Sequence, residues 1–564
     1  MHYPALFLVS ILVLIGCGNN LPKKPKQSLT SYIQNLEKEN NISYDKVLNT
    51  NGQYITSMCY TKTQDTNSNA VSNPCYSCHT KGIEPNYYND TNLQEEYNFP
   101  LEVRKNRFSN LFKDRTQKVN AIDDTLIFNY IRHSNYFDEN HKIILAETLP
   151  NKWKGYVPDC YYNFDNEGFD QDDTGEYTLW RAFRYYPFLG TFWPTNGSTD
   201  DVLIRLDRAF AEDKNGDFDL DIYKLNLAIV ESLIKQKDIN LTAPVDEALY
   251  DVDLNQNGTL DTAKQVVIST YDKMSYVGNA REKLLKSEIH LAPGLFPEGT
   301  EFLHSVRYVD WDENKQQIKM SQRMKELRYA KKISWSTYSD IQRVANAELN
   351  EAQANGTDIS NIAVFRGSYE SGLKNEIGWI YQGFIEDKQG NLRPQTQEET
   401  IGCMGCHSHL GATTDSIFAY ARKLEGTDVN ATDFGWNHWT QKGLKGLKEP
   451  KATYKKYGEK YEYSFYLQNN HSGNEFRNND EVQNKFFDAN AVLKQDMLSA
   501  LHNDISVLLF PSKERALMLD KGYKAMVEEQ SYIYGRDANV APMKNVYKNI
   551  KDGQTTGIRE VIVH

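Results

Sequence analysis

Apolar residues recur along this chain in patterns that change with position, and each pattern predicts an element. Residues 5–16, ALFLVSILVLIG, are an unbroken apolar run, too short to span a bilayer and of the length that forms the core of an export signal. From Ile222 the spacing becomes helical: Ile222, Leu225, Ile229 and Leu233 recur at intervals of three and four and predict an amphipathic helix. Thr337 to Asn355 reads the same way, with Tyr338, Ile341, Ala345 and Leu349 on one face and Gly356 as its stop. In GWIYQGFIEDKQGNLRPQ, aromatic and β-branched residues precede a Gly-Asn turn signal, which predicts a β-hairpin from Gly378 to about Gln395. A last helix is expected from near Ser512, after Pro511, with Leu519, Tyr523 and Met526 in register and an end by Gly535.

The N-terminal run ends in Leu14-Ile15-Gly16-Cys17, which resembles a bacterial lipobox. Residues 1–16 then form a signal peptide, and Cys17 becomes the lipidated first residue of the mature chain. The run has no Lys or Arg before it, and the alternative is an uncleaved apolar anchor around a chance cysteine. Both place the body of the protein outside the cytoplasm. Residues 17–45, containing PKKPKQ, read as a tether. Gly18, with no Asp after the cysteine, resembles lipoproteins sent to the outer membrane of Gram-negative cells.

The chain has 564 residues, of which 40% are hydrophobic, enough for a large core and about two to four domains. Its net charge of −12 argues against nucleic acid, which needs a basic surface, and suits a basic protein partner. The 36 tyrosines fit a protein that wraps flat apolar groups, and equally an ordinary aromatic core.

Seven cysteines sharpen the picture. Besides Cys17, four form two pairs, each followed at once by histidine: Cys75, Cys78 and His79, and Cys403, Cys406 and His407. This is the spacing of covalent c-type haem attachment, with both thiols joined to the porphyrin and the histidine on the iron. A four-thiolate zinc site would leave the adjacent histidines unexplained, and a redox CxxC would be expected in a βαβ context that the sequence lacks. Cys59 and Cys160 remain, either as a disulfide near the first motif or as free thiols. WRAFRYYPFLGTFWPTNGS, residues 180–198, offers aromatics to line a porphyrin and Arg181 and Arg184 to neutralise its propionates, or else an ordinary aromatic core.

The middle of the chain carries a different chemistry. Asp213, Asn215, Asp217, Asp219 and Asp221 occupy alternate positions of an EF-hand-like loop. Asp253, Asn255, Asn257, Thr259 and Asp261 repeat the pattern, with Gly258 at the turn. Lys224 and Lys264 stand where a bidentate glutamate belongs, so either calcium affinity is low or another carboxylate such as Glu212, Glu231 or Asp251 completes the shell. The alternative is a pair of solvated Asx-rich turns.

Axial ligation separates an electron carrier from a catalyst, because a second protein ligand closes the iron. The candidates are His133, His141, His290, His304, His409, His438, His471 and His502, with Met58, Met320, Met324 and Met526. His304, in EFLHSVRY, stands out: Leu303 and Val306 imply burial and Arg307 could meet a propionate. His409 points away from the iron that His407 holds; it is a surface residue, or the cap of the other haem if the two motifs converge.

The paired motifs and the calcium-like loops resemble those of dihaem c-type cytochromes, distantly the dihaem peroxidase and MauG-like group. The chain is more similar to dihaem cytochrome lipoproteins with a CMGCH second site and an FLHSVRY segment. The resemblance implies two covalent haem c groups, with calcium between them in the peroxidase group. The expected fold is mainly α with irregular loops and short β-hairpins. Its regions are a first haem region at 46–200, a middle region with EF-hand-like loops at 201–395 and a second haem region at 396–564. The expected function is lipid-anchored periplasmic electron transfer to membrane or periplasmic redox partners. A dihaem peroxidase- or oxygenase-like oxidoreductase with one open iron is the alternative, ahead of a sensory or scaffold lipoprotein.

Overall fold

A computed structural model describes residues 55–62, 74–191, 193–270, 273–355, 365–408, 410–425, 434–470, 477 and 479–564. The signal segment, the tether with Cys17, His409 and His471 lie outside the described residues.

The architecture follows from a sheet whose central strands bury both of their faces. In chain order the first strands are β1 (Phe169–Gln171), β2 (Tyr177–Phe183), β3 (Thr199–Asp200), β4 (Val202–Arg205), β5 (Ile239–Asp246) and β6 (Thr262–Val266). Then come β7 (Glu301–Asp312), β8 (Gln317–Lys332), β9 (Arg366–Ser368), β10 (Gly372–Lys374), β11 (Trp379–Glu386) and β12 (Leu392–Pro394). Ten of them form one sheet in the order β1-β2-β4-β7-β8-β11-β10-β9, with β12 beside β11 and β3 beside β7. Its named pairings are antiparallel. Strands β5 and β6 pair separately. The large sheet draws strands from both sides of residue 200.

Period-two alternation sends Val202, Ile204 and Phe302 to one face, where they pack with Trp379, Tyr420 and the helix Leu220–Lys235. Leu203, Leu303, Leu327 and Phe384 go to the other, with Trp180 and Cys160. The helix Lys513–Glu529 buries Tyr523 and Met526 in a third cluster with Tyr308.

This fold overturns the mainly α expectation: the described residues are 31% helical and 22% strand, around a ten-stranded antiparallel sheet. The reason lies in β8. Its sequence, QIKMSQRMKELRYAKK, is rich in helix-favouring Met, Lys, Glu, Leu and Arg, yet Arg323, Lys325, Glu326 and Lys332 are buried in it. Buried ion pairs replace the polar-out alternation that marks a half-exposed strand: Arg323 Nε donates to Glu386 at 2.5 Å, and Arg328 Nε to Glu326 at 3.0 Å. Cross-strand pairing then outweighs local propensity. The elements with clear periodicity are present, as the helices Leu220–Lys235, Tyr338–Asn355 and Lys513–Glu529 and the hairpin of β11 and β12.

Candidate functional site

Each cysteine-pair motif forms helical turn, and each histidine is oriented through one ring nitrogen. Cys75–Cys78 is a single turn, closed by the His79 N–H donating to the Cys75 carbonyl at 2.8 Å. The His79 ring meets the Asp90 carboxylate at 2.9 Å through Nδ1. Cys403, Cys406 and His407 lie at the end of the helix Gln397–His407, which starts with a Thr396–Glu399 capping box. His407 Nδ1 donates to the Ser416 carbonyl at 2.8 Å.

The Ser416 carbonyl is held in place by a specific frame. Asp415 and Ser416 both adopt left-handed backbone, with φ of 47° and 63°, which side chains rarely tolerate without external support. Lys332 Nζ donates to both Asp415 oxygens, at 2.8 and 3.0 Å, in a fully buried pair. Asn375 Nδ2 donates to Ser416 Oγ at 3.1 Å and to the His407 carbonyl at 3.0 Å.

Although 328 residues separate Cys75 from Cys403, the motifs meet in space. The Ala412 N–H donates to the Cys78 carbonyl at 3.2 Å. Asn86 Nδ2 donates to the carbonyls of Leu410 and Thr413, at 2.8 and 3.0 Å. A Cβ at Gly411 would stand 1.8 Å from the Thr80 carbonyl oxygen, so only glycine allows this approach. The thiols feel one another: burial raises the Cys78 pKa, and Cys406, Cys59 and Cys75 raise it further. Cys406 is pushed up to about 12, first by burial and then by Cys59 and Cys403. These two thiols are therefore neutral at pH 7. Cys59 belongs to this cluster, whereas Cys160 is buried among Tyr136, Tyr156 and Trp180. Cys59 and Cys160 form no disulfide and stand as free thiols, the other possibility that the sequence offers.

Aromatic rings and an uneven charge surround the second motif. The His407 ring lies 5.0 Å from Tyr381 and 5.4 Å from Phe418, which reaches Phe188 at 5.1 Å. Burial pushes the His407 imidazole down to about 4, so it is neutral at pH 7. Arg328 and Arg536 both sense Cys403 and both bond Glu326, at 3.0 and 2.8 Å. Burial works against the Glu326 carboxylate, but Arg328 and Arg536 hold it down to about 2. Two guanidiniums thus share that carboxylate. Arg181 and Arg307, marked in the sequence as propionate partners, are used elsewhere. Arg181 packs 4.2 Å from the Phe169 ring and 4.0 Å from Trp436, and Arg307 bonds Ser305 Oγ at 2.8 Å. Arg184 donates to the Gly443 carbonyl at 3.1 Å.

His304 sits on β7 with Nδ1 donating to the Asp201 carbonyl at 2.6 Å. Met320, Met324 and Met526 are buried, Met324 and Met526 within the apolar clusters. Met58 packs beside Gly190 and Pro74, next to Cys75. His133 and His141 are exposed.

The calcium-like loops lie apart from both motifs and are wound on themselves. Asp213 Oδ1 accepts from the N–H groups of Asn215 and Asp217, and Asp219 caps the helix Leu220–Lys235. Asp253 accepts from the N–H groups of Asn257 and Gly258, Asn255 from Asn257 N–H, and Asn257 from Thr259 N–H. Asp261 accepts from the Asn255 and Asn257 side-chain amides and the Thr259 hydroxyl. Fully buried Glu247 takes the N–H groups of Leu254, Asn255 and Asp261. The supplementary carboxylates have other partners: Glu212 pairs with Arg208, Glu231 with Lys235 and Lys423, and Asp251 with Arg281. No group of three or more His, Cys, Asp or Glu among the described residues is arranged to hold a metal ion. A cavity of about 450 Å³, lined by Arg181, Glu231, Lys423 and Trp436 among others, shares no residue with either motif.

Several residues of the site escape sequence reading. Asp90 follows His79 by eleven positions in an Asn- and Tyr-rich stretch with no motif. Arg328 and Tyr381 become visible only once β7, β8 and β11 are in register.

The family profile that matches residues 45–506 carries the description "-like lipoprotein". A protein named "Uncharacterized lipoprotein" from Aquifex aeolicus (strain VF5) is 33% identical over 527 residues, covering 86% of each chain. No solved structure matches. Among the described residues no helix is long and apolar enough to cross a membrane. The chain belongs to this lipoprotein family, which places it outside the cytoplasm on a lipid anchor.

Proposed function

We propose that this lipoprotein is a dihaem c-type cytochrome that transfers electrons on the periplasmic side of a bacterial outer membrane, anchored through Cys17. The observation that carries the reading is the meeting of two CxxCH motifs, each with Nδ1 of its histidine tied to an acceptor. A ring fixed through Nδ1 presents the Nε2 lone pair, and neither Nε2 makes a hydrogen bond among the described residues. The residues fit the group in three further ways. Cys78, Cys403 and Cys406 are in no disulfide, the His407 imidazole is neutral, and Arg328 with Arg536 leaves positive charge for a propionate.

Haem c, when bound, supplies one-electron chemistry. The chain's own work is to hold and tune. Cys75, Cys78, Cys403 and Cys406 would hold two macrocycles, and the Ala412–Cys78 contact keeps their attachment motifs together. His79 and His407 differ in their support. A carboxylate, Asp90, supports His79, whereas a neutral carbonyl supports His407, so the haem that Cys75 and Cys78 would hold is the lower in potential. The acidic chain favours a basic redox partner.

The same Asp90 contact favours a second reading, a dihaem oxidoreductase, because a basic proximal ligand supports chemistry at an open iron. A redox titration of the exported holoprotein separates the two. The carrier takes up two electrons per chain, returns them to an acceptor protein and consumes no peroxide. Sustained peroxide turnover would establish the oxidoreductase, and absence of redox-active haem would overturn both.

A further inference from the structure

The geometry points to His304 as the second iron ligand of the haem carried by Cys403 and Cys406, opposite His407. The inference rests on the haem reading above and extends it to a position that neither CxxCH motif specifies.

The first observation is a shared sheet face. In register, His304 on β7 stands directly across from Arg328 on β8, and Arg328 across from Gly383 on β11. Two positions along each strand, Phe302, Ala330 and Tyr381 form the neighbouring row of the same face. Tyr381 is the residue whose ring touches His407 at 5.0 Å. His304 and the His407 contact therefore lie on one side of the sheet, two strand spacings and one row apart, about 12 Å on the diagonal.

The second is Arg328, which lies between them. Its charge acts on His304, on His407 and on Cys406, and it senses the Cys403 thiol. One guanidinium thus acts both on the β7 histidine and on the second motif.

The third is the state of the His304 ring. Nδ1 donates to the Asp201 carbonyl at 2.6 Å, so Nε2 carries the lone pair, and Nε2 makes no hydrogen bond among the described residues. The Asp201 side chain is pinned by Ser305 N–H at 2.7 Å, Ser305 Oγ at 2.6 Å and His438 Nε2 at 2.8 Å, so its backbone is a fixed support. The Trp193 ring packs 5.9 Å from the imidazole.

Other described histidines are engaged differently. His438 uses both ring nitrogens, on Thr440 Oγ1 and Asp201. His290 faces Glu298 and stacks on Trp335, and His502 stacks on Tyr461 with Nε2 toward Glu449.

The test uses exported holoprotein with both haems covalently attached, shown by mass. In His304→Gly, ferric absorption and EPR spectra should show one of the two haems turned high-spin, with added imidazole restoring the low-spin signal. The unaffected haem should be the one whose potential Asp90→Asn shifts. His304→Met keeps a ligating side chain and guards against simple misfolding: both haems should stay low-spin while one potential moves positive. Two unchanged low-spin haems in His304→Gly, or two unchanged potentials in His304→Met, would overturn the assignment while leaving the dihaem reading intact. Failure of the wild-type chain to bind covalent haem would instead overturn that reading and this ligand with it.

Discussion

The Ala412 N–H donates to the Cys78 carbonyl at 3.2 Å, joining the loop after one CxxCH motif to the middle of the other. Backbone contact of this kind ties the two motifs directly to each other. It places the two CxxCH motifs within a single framework of hydrogen bonds that includes Asn86 and Asp90.

Gly411 is the residue on which that contact depends. In Gly411→Ala the new Cβ would lie 1.8 Å from the Thr80 carbonyl, so one backbone must move. Overpacking of this order costs about 1–3 kcal/mol. We expect a lower midpoint in thermal unfolding with both haems still attached. An unchanged midpoint would show that the loop accommodates the methyl without strain.

Asp90 distinguishes the two motif histidines: His79 meets its carboxylate, whereas His407 meets a backbone carbonyl. In the proposed holoprotein, replacing Asp90 with Asn removes the negative partner of His79 and is expected to raise the potential of the haem that Cys75 and Cys78 would hold. If such a partner is worth about 10–100-fold, the change is roughly 60–120 mV for a one-electron couple. Spectroelectrochemistry should show one wave moved and the other in place; two waves shifted equally would mean that Asp90 acts as a general surface charge.

Lys332 and Asp415 are both fully buried, and Asp415 precedes the carbonyl that aims His407. Lys332→Met leaves an uncompensated carboxylate and is expected to cost about 3–5 kcal/mol. The double variant with Asp415→Asn should recover part of this in a denaturant titration. A double variant as unstable as the single would assign the loss to packing around Trp379.

Glu449 makes stability pH-dependent away from the site. It is 4% exposed, and burial pushes its carboxyl from an ordinary 4.5 up to about 7, against the bonds from Ser464 N–H and Oγ. The unfolded chain releases this proton first, so stability falls as pH rises through that interval, and the loss is complete above it. The ceiling is on the order of 3 kcal/mol. Glu449→Gln should therefore raise the melting temperature at pH 8 and leave it unchanged near pH 4.5. An equal shift at both pH values would contradict the titration.

What the sequence made legible was local. The CxxCH triplets, the Ile222–Leu233 stripe and the Gly-Asn turn after β11 each carry their signal within a few residues. Strand β8 did not, because Arg323, Glu326 and Lys332 are buried by partners on other strands and make a strand look like a polar helix. Asp90, Arg328 and Ser416 were illegible for a related reason. Their roles arise from register and loop closure across long separations, and no short pattern records those. The Cys59–Cys160 pairing was expected by elimination among seven cysteines, and the fold instead gives the two residues unrelated neighbours.

The most direct measurement is the intact mass of the chain after export in cells with a covalent haem-attachment system, followed by peptide mapping. The account predicts two haem additions per chain, one on the peptide containing Cys75 and Cys78 and one on that containing Cys403 and Cys406. A bare polypeptide, or cysteines recovered as disulfides, would contradict it.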